Sequence, residues 1–220
     1  MTHDSHGSRF EEIRNELYTA VVSDVLDAKG LRHQALQAGI VPLVAARRMV
    51  GRAYPVLVAE TFTLPERPYA TLIEALDAIG DHEVFVSNAL SDRAAFWGEL
   101  LSYSCRMRGA AGAVIDGLVR DVERIEPLDF PVFGRGRLPV DSMGRFEVVS
   151  YCVPVECGGV TIMPGDLIVA DSDGIVVVPQ GIEAAVLDEA LNKVRGENAV
   201  RDGLEAGKLL RELFDTYGVL

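Results

Sequence analysis

Two runs of β-favouring residues, Leu167-Ile168-Val169-Ala170 and Ile175-Val176-Val177-Val178, flank the turn sequence Asp171-Ser172-Asp173-Gly174. Branched side chains fit a pleated surface, and Asp and Gly close a tight reversal. This stretch therefore predicts an antiparallel hairpin, and any fold for the chain must include a sheet that takes it. The turn also resembles the opening of a calcium loop. That loop needs a bidentate Glu at its twelfth position, which here is Ile182, so a hairpin turn is the better reading.

The rest of the chain alternates between helical and extended patterns. Phe10, Ile13, Leu17, Val21 and Val25 recur at helical spacing and predict a helix stopping near Lys29-Gly30, with Asp24 as an alternative start for a second short one. Residues 48–60 predict a strand in which Pro55 marks an edge or bulge. Helices are expected over 70–79 and 94–108, with a strand at 83–86 between them. After Gly109 short strands are expected at 113–116, 131–133, 147–155 and 159–163. Ile182, Val186, Leu187, Ala190, Leu191 and Val194 form the last clear amphipathic helix, and an Arg/Glu-rich helical segment runs on toward Tyr217. There is no internal repeat and no linker. The expectation is one α/β domain over residues 9–220, preceded by a flexible tail at 1–8.

Composition narrows the function classes. With 220 residues, 49% hydrophobic and 25% charged, the chain can bury a substantial core. A net charge of −12 repels phosphate backbones, and the nearest basic residues, Arg135-Gly136-Arg137 with Arg124 and Arg145, read as solvated loop arginines, so no nucleic-acid partner is expected. No apolar run approaches the ~18 residues of a spanning helix, and the first residues lack a secretory pattern; a cytoplasmic protein without a membrane partner is the expectation. Cys105, Cys152 and Cys157 form no CxxC pair and read as free, mostly buried thiols.

The chemistry-bearing residues fall in two short stretches. Twenty residues separate Glu99, in Gly98-Glu99-Leu100-Leu101, from the adjacent Arg120 and Asp121. That leaves room for one helix and one short strand, so the two ends can meet. The site would offer backbone amides for an anion, a guanidinium for a developing oxyanion and carboxylates for a divalent metal. These are the parts needed to cleave a carbon–carbon bond beside a 2-oxo acid.

Each part also has a purely structural reading. If the helix starts near Gly98, its first amides can hold a carboxylate and Gly98 permits close approach. If it starts at Asp92, Gly98 is interior and Glu99 is solvated. Asp121 is either a ligand or the N-cap of a short helix at 122–126 stopped by Pro127. Arg120 is either an anion-binding group or an exposed ion-pair partner. In a regular strand the side chains of Arg120 and Asp121 would diverge, so joint action requires a turn or helix start here, which Asp116-Gly117 makes feasible. Glu197, in Arg195-Gly196-Glu197-Asn198 after the last clear helix, reads by itself as a surface residue. Lys193 and Lys208 lie in no motif suggesting Schiff-base chemistry.

Several ordered motifs together resemble the RraA-like family, which includes class II 4-hydroxy-4-methyl-2-oxoglutarate / 4-carboxy-4-hydroxy-2-oxoadipate aldolases and members formerly labelled dimethylmenaquinone methyltransferases. They are Val50-Gly51-Arg52-Ala53, Trp97-Gly98-Glu99-Leu100-Leu101, Ile115-Asp116-Gly117 with Val119-Arg120-Asp121, Phe130-Pro131-Val132-Phe133, Gly158-Gly159-Val160, Pro164-Gly165-Asp166 through Asp171-Ser172-Asp173-Gly174, and Tyr217-Gly218-Val219-Leu220.

The resemblance implies a single-domain swivelling β/β/α fold with a C-terminal helical segment, assembled as a homotrimer or hexamer with active sites between subunits. It implies a divalent-metal-dependent aldolase, with Mg²⁺ or Mn²⁺ on Asp121, that releases pyruvate and a second oxo acid from 4-hydroxy-2-oxo (di)acids and also decarboxylates oxaloacetate. Gly98, Glu99, Leu100, Leu101 and Arg120 would bind substrate, with Arg120 at the enolate oxygen. Glu99, and Glu197 from a neighbouring subunit, would orient the water that takes the C4 hydroxyl proton. The family's aldolases more usually carry Asp where this chain has Glu99. The alternative is a non-catalytic RraA-like regulator of an RNA-processing enzyme; that branch lacks the Asp of the Arg-Asp pair, so Asp121 argues for an enzyme. The methyltransferase label has no support here, because no glycine-rich loop with a trailing acidic residue follows an early strand.

Overall fold

The computed structural model describes residues 3–44 and 48–219, with side chains from residue 7 onward. Helices α1 (His3–Glu16) and α2 (Thr19–Ala28) lead into β1 (Val41–Val44) and the long β2 (Met49–Glu60). Then come α3 (Ala70–Ala78), β3 (Glu83–Ser87), β4 (Ala95–Trp97), α4 (Glu99–Met107) and β5 (Gly112–Val119). A single turn, α5 (Val122–Ile125), precedes β6 (Val132–Arg137), β7 (Phe146–Tyr151), β8 (Val155–Cys157) and β9 (Val160–Ile162). The hairpin β10 (Leu167–Ala170) and β11 (Ile175–Val178) is followed by α6 (Glu183–Glu205) and α7 (Leu210–Tyr217).

Among the described residues, nine strands form one curled sheet in the order β1-β6-β5-β3-β2-β10-β11, with β4 added to β5 and β7 to β2. Parallel pairs link β2, β3, β5 and β6 in turn, and β4 also runs parallel to β5. Strand alternation assigns side chains to opposite faces. Val84, Val86 and Val114 join the core covered by the β8–β9 hairpin, whereas Phe85, Ala113 and Ile115 join the core under α3 and α4. Likewise Ile168 and Val177 face the hairpin layer, while Leu167, Val169 and Val176 pack under α1, α2 and α6. Both faces are therefore apolar, which is why the β10 and β11 sequences read as continuous hydrophobic runs. The single α/β domain and the 171–174 hairpin match expectation, with Leu167 opposite Val178 and Ala170 opposite Ile175.

Several elements differ from expectation for identifiable reasons. The first amphipathic helix is two helices, and α1 begins at His3, inside the stretch read as a tail. The break at Leu17–Tyr18 has a tertiary cause: the Asp171 carboxylate accepts hydrogen bonds from the Thr19 amide (2.8 Å) and hydroxyl (2.7 Å), anchoring the start of α2 to the β10–β11 turn. The second helix thus starts at Thr19 rather than Asp24. The helix expected over 94–108 begins only at Glu99, because Ala95 to Trp97 are drawn into the sheet beside β5.

Residues 147–155 are two strands, β7 and β8, separated where Cys152 takes a positive φ of 51°. Asp116-Gly117 is not a turn but lies within β5, at a register shift against β6. Arg135 and Arg137 lie on β6 rather than on a loop: Arg135 pairs with the buried Asp116, and Arg137 donates to the Leu43 carbonyl (3.1 Å). Glu197 lies inside α6 rather than after it.

Pro55 is on a central strand, at the point where β2 exchanges its neighbour β10 for β7. Its carbonyl accepts from Cys152 on that side (2.8 Å), so its missing N–H falls in the gap between the two neighbours. Of the thiols, Cys105 and Cys157 are buried and Cys152 is exposed.

The Thr19–Asp171 pair is itself buried, at 3% and 8% exposure. Asp171→Ala strands three donors, the Thr19 amide and hydroxyl and the Asp173 amide, and is expected to destabilise the protein by about 1–3 kcal/mol. Urea denaturation followed by far-ultraviolet circular dichroism measures this, and an unchanged midpoint would count against the anchor.

Candidate active site

The strand pair β4–β5 brings the two motif stretches together. Ala95 lies opposite Leu118 and Trp97 opposite Val119, and the Arg120 amide continues the ladder by donating to the Trp97 carbonyl (2.9 Å). Both strands end here, so α4 and α5 start side by side.

Gly98 is the N-cap of α4, which settles the two readings of this stretch in favour of a helix start. Its backbone is extended, so its φ does not demand glycine. Space does: a Cβ would lie 2.7 Å from Asp121 Oδ2 and 3.2 Å from Arg120 Cγ. The Gly98 carbonyl accepts from the Ser102 amide (3.2 Å) and hydroxyl (3.1 Å), and Ser102 Oγ in turn accepts from the buried Trp97 indole (2.7 Å). This clasp fixes the first turn of α4. The Glu99 amide points at Asp121 Oδ2 (3.4 Å), and no acceptor among the described residues takes the Leu100 and Leu101 amides.

Asp121 precedes α5 as expected, yet its side chain makes no capping hydrogen bond. The residue is left-handed, with φ 58° and ψ 29°, and this turns its carboxylate back toward the start of α4. Such a conformation is uncommon outside glycine, although Asp tolerates it better than most. Arg120 Nε lies 3.5 Å from Asp121 Oδ2, and Arg120 Nη1 forms an ion pair with Asp141 Oδ1 at 3.0 Å. The Glu99 carboxylate is 3.7 Å from Arg124 Nε.

The sequence pattern missed two residues here. Asp141 lies in the connection between β6 and β7; it accepts from the Tyr69 hydroxyl (2.7 Å) and the Met143 amide (3.2 Å) and is ion-paired with Arg120. Burial raises the Asp141 carboxyl, but the Tyr69 hydroxyl, the Met143 amide, the Arg120 charge and the Ser142 amide outweigh it and hold it below the ordinary carboxylate range. Tyr69 shifts upward through burial and the neighbouring Asp141. Like Asp121, it has a positive φ, 62°, at the N-cap of α3. Neither residue sits in a spaced motif; only Pro68 before Tyr69 and Pro139 before Asp141 mark their loops.

These groups line one cavity of about 460 Å³, which includes Gly98, Glu99, Leu100, Leu101, Arg120 and Asp121 together with Tyr69 and Asp141. Of the predicted site residues, Glu197 alone does not line it. Glu197 accepts a hydrogen bond from the Tyr18 hydroxyl, and burial raises its carboxyl while Arg201 opposes that shift. Among the described residues no cluster of three or more His, Cys, Asp or Glu could hold a metal.

Comparison with known proteins places this architecture. The profile of the RraA-like family, described as Aldolase/RraA, matches residues 19–177. A Halalkalibacterium halodurans protein named as a candidate 4-hydroxy-4-methyl-2-oxoglutarate aldolase is 35% identical over 182 residues, which is 82% of this chain and 81% of that protein. An uncharacterised Pseudomonas syringae structure superposes with a TM-score of 0.80 at 30% identity, covering 94% of this chain and 96% of that one. A Streptomyces coelicolor structure, described as an unusual member of the RNase ES inhibitor RraA protein family, gives 0.78 at 28% identity over 89% of this chain and 96% of that one. The chain belongs to the RraA-like family.

Proposed function

We propose that this protein is an aldolase that cleaves 4-hydroxy-2-oxo acids, the class that includes 4-hydroxy-4-methyl-2-oxoglutarate, to pyruvate and a second carbonyl compound. The observation that carries the reading is the convergence of Arg120, Asp121 and the unpaired Leu100 and Leu101 amides on one cavity. The names of several relatives point the same way.

In this reading the substrate carboxylate rests on the Leu100 and Leu101 amides at the positive end of α4. The C2 oxygen faces the Arg120 guanidinium. Loss of the C4 hydroxyl proton lets that oxygen form a carbonyl as the C3–C4 bond breaks. The bonding pair becomes the C2–C3 double bond, and negative charge moves onto the C2 oxygen. Arg120 is thus matched to charge that appears only as the bond breaks, and interactions of this kind accelerate the step. Glu99 orients the water that accepts the C4 proton, and Glu197 of a neighbouring subunit completes that arrangement. Protonation at C3 releases pyruvate. Oxaloacetate yields the same enolate on losing CO₂, so decarboxylation accompanies cleavage.

The residues present fit a hard divalent cation. The Asp121 side chain, 42% exposed and on the cavity lining, would hold such an ion through its carboxylate oxygens. Mg²⁺ or Mn²⁺ held by Asp121 would supply a second positive charge beside the C2 oxygen. The exposed Leu100, Tyr103 and Met107 on one face of α4, next to the cavity, support assembly into a homotrimer or hexamer with sites between subunits.

A non-catalytic regulator of an RNA-processing enzyme is the second reading, favoured by the likeness to the Streptomyces coelicolor structure. It predicts no turnover.

Arg120→Ala and Asp121→Asn are each expected to reduce pyruvate release by about 10²–10³-fold, with melting temperatures near that of the unaltered protein. Asn tolerates the left-handed backbone at 121, so early melting with retained turnover would return Asp121 to a structural role. Chelation by EDTA should silence pyruvate release from oxaloacetate, and added Mg²⁺ or Mn²⁺ should restore it; turnover indifferent to chelator would exclude the cation. Gly98→Ala should lower turnover about tenfold or more without unfolding, because its Cβ meets the Asp121 and Arg120 side chains rather than backbone. Activity and thermal melts of that variant together check the close approach.

A further inference from the structure

Asp141 meets Arg120 with one carboxylate oxygen and the rest of the fold with the other. Oδ2 accepts from the Tyr69 hydroxyl (2.7 Å) and the Met143 amide (3.2 Å), whereas Oδ1 lies 3.0 Å from Arg120 Nη1. The backbone beneath is pinned as well. The Asp141 carbonyl accepts from Arg145 Nη1 (2.9 Å), and the carbonyl of the buried Ser142 accepts from the Arg145 and Phe146 amides (2.9 Å each). Tyr69 is fixed in turn, because its carbonyl accepts from the Ile73 amide (2.8 Å) at the start of α3. Asp121 offers Arg120 a looser hold: its Oδ2 is 3.5 Å from Arg120 Nε and is also approached by the Glu99 amide (3.4 Å). An arginine side chain has several free rotors, and a carboxylate tied to the fold at its tip removes that freedom before a ligand arrives.

We infer that Asp141 is a positioning residue that acts through Arg120: with Tyr69 as its lock, it fixes the guanidinium where the C2 oxygen gains charge. This deepens the aldolase reading and rests on it for the identity of that oxygen. In that reading the Asp121 carboxylate also serves a divalent cation, so Asp141 becomes the main counter-charge of Arg120. A carboxylate near an anionic ligand otherwise repels it, and this separates two roles by sign. Neutralising a mere like-charge neighbour tightens the binding of an anion. Neutralising the group that holds Arg120 in place loosens it.

Oxalate is the probe, a planar anion with the shape and charge of the pyruvate enolate. With Mg²⁺ present, calorimetry should show Asp141→Asn binding oxalate about tenfold or more weakly, and pyruvate, which has no charge on C2 oxygen, only about threefold more weakly. The Asp141 side chain is 36% exposed, so Asn at 141 buries no new group. Tyr69→Phe, the second variant, keeps every charge and removes one hydrogen bond; it should weaken oxalate in the same direction, about threefold or more. In an Arg120→Ala background Asp141→Asn should cause no further loss, because the group it acts through is gone. In pyruvate release from oxaloacetate, Asp141→Asn should lower kcat about tenfold or more with KM within about threefold.

Tighter or unchanged oxalate binding by Asp141→Asn would overturn the inference. So would an equal loss in the Arg120→Ala background, the mark of a merely structural carboxylate. If oxalate behaves as expected but neither a 4-hydroxy-2-oxo acid nor oxaloacetate is turned over, the aldolase reading falls and the positioning role stands. If the unaltered protein binds neither oxalate nor pyruvate, both fall.

Discussion

The parallel pairing of β4 with the distal half of β5 sets Trp97 opposite Val119, so both strands run out at the same edge of the sheet. Parallel strands finish together, and whatever follows them begins together. Here one exit is the start of α4 and the other is the Arg120-Asp121 corner. A helix start presents unsatisfied amides, and ligands of open α/β sheets gather at such carboxyl ends. An antiparallel partner would have put the entry of one strand against the exit of the other and separated the two groups. Gly117 makes the pairing possible. The segment between β3 and β4 crosses over it so closely that a Cβ there would meet the Ala89 carbonyl oxygen at 2.2 Å.

Local devices then convert that edge into a site. Phe85 packs 4.7 Å from the Trp97 ring, and the indole N–H holds Ser102, which holds the Gly98 carbonyl. The first turn of α4 is thus tied to the core through a chain of buried contacts. Asp121 and Tyr69 both sit in left-handed backbone, a state that costs about 1–3 kcal/mol for a non-glycine residue and persists only where the surroundings enforce it. At Asp121 the enforcement is visible: its carbonyl accepts from both Arg124 (2.8 Å) and Ile125 (3.0 Å), starting α5 while the side chain points away from it.

Legibility in the sequence followed the range of the interaction involved. The β10–β11 hairpin and α3 were readable because periodicity and turn chemistry act within a few residues. The start of α4 was not: Ala94 to Arg108 carries a helical pattern throughout, and only the pairing of Ala95 and Trp97 with a strand about twenty residues later pulls the first part into the sheet. The break between α1 and α2 is of the same kind, since Thr19 answers to Asp171 across the whole domain. The Arg-Asp pair was visible as a motif, but its geometry depends on one left-handed residue that propensity does not announce. Asp141 and Tyr69 were invisible, because loops contribute side chains without any period.

The charge balance of the site explains why its cation is an arginine. Two carboxylates, Asp121 and Asp141, flank the Arg120 guanidinium, and against its burial the Tyr69 hydroxyl, the Met143 amide and the Arg120 charge hold the Asp141 carboxyl below the ordinary range. A flexible ammonium in that setting would be drawn to whichever anion lay closest. The planar fork divides between them: Nη1 lies 3.0 Å from Asp141 Oδ1 and Nε lies 3.5 Å from Asp121 Oδ2.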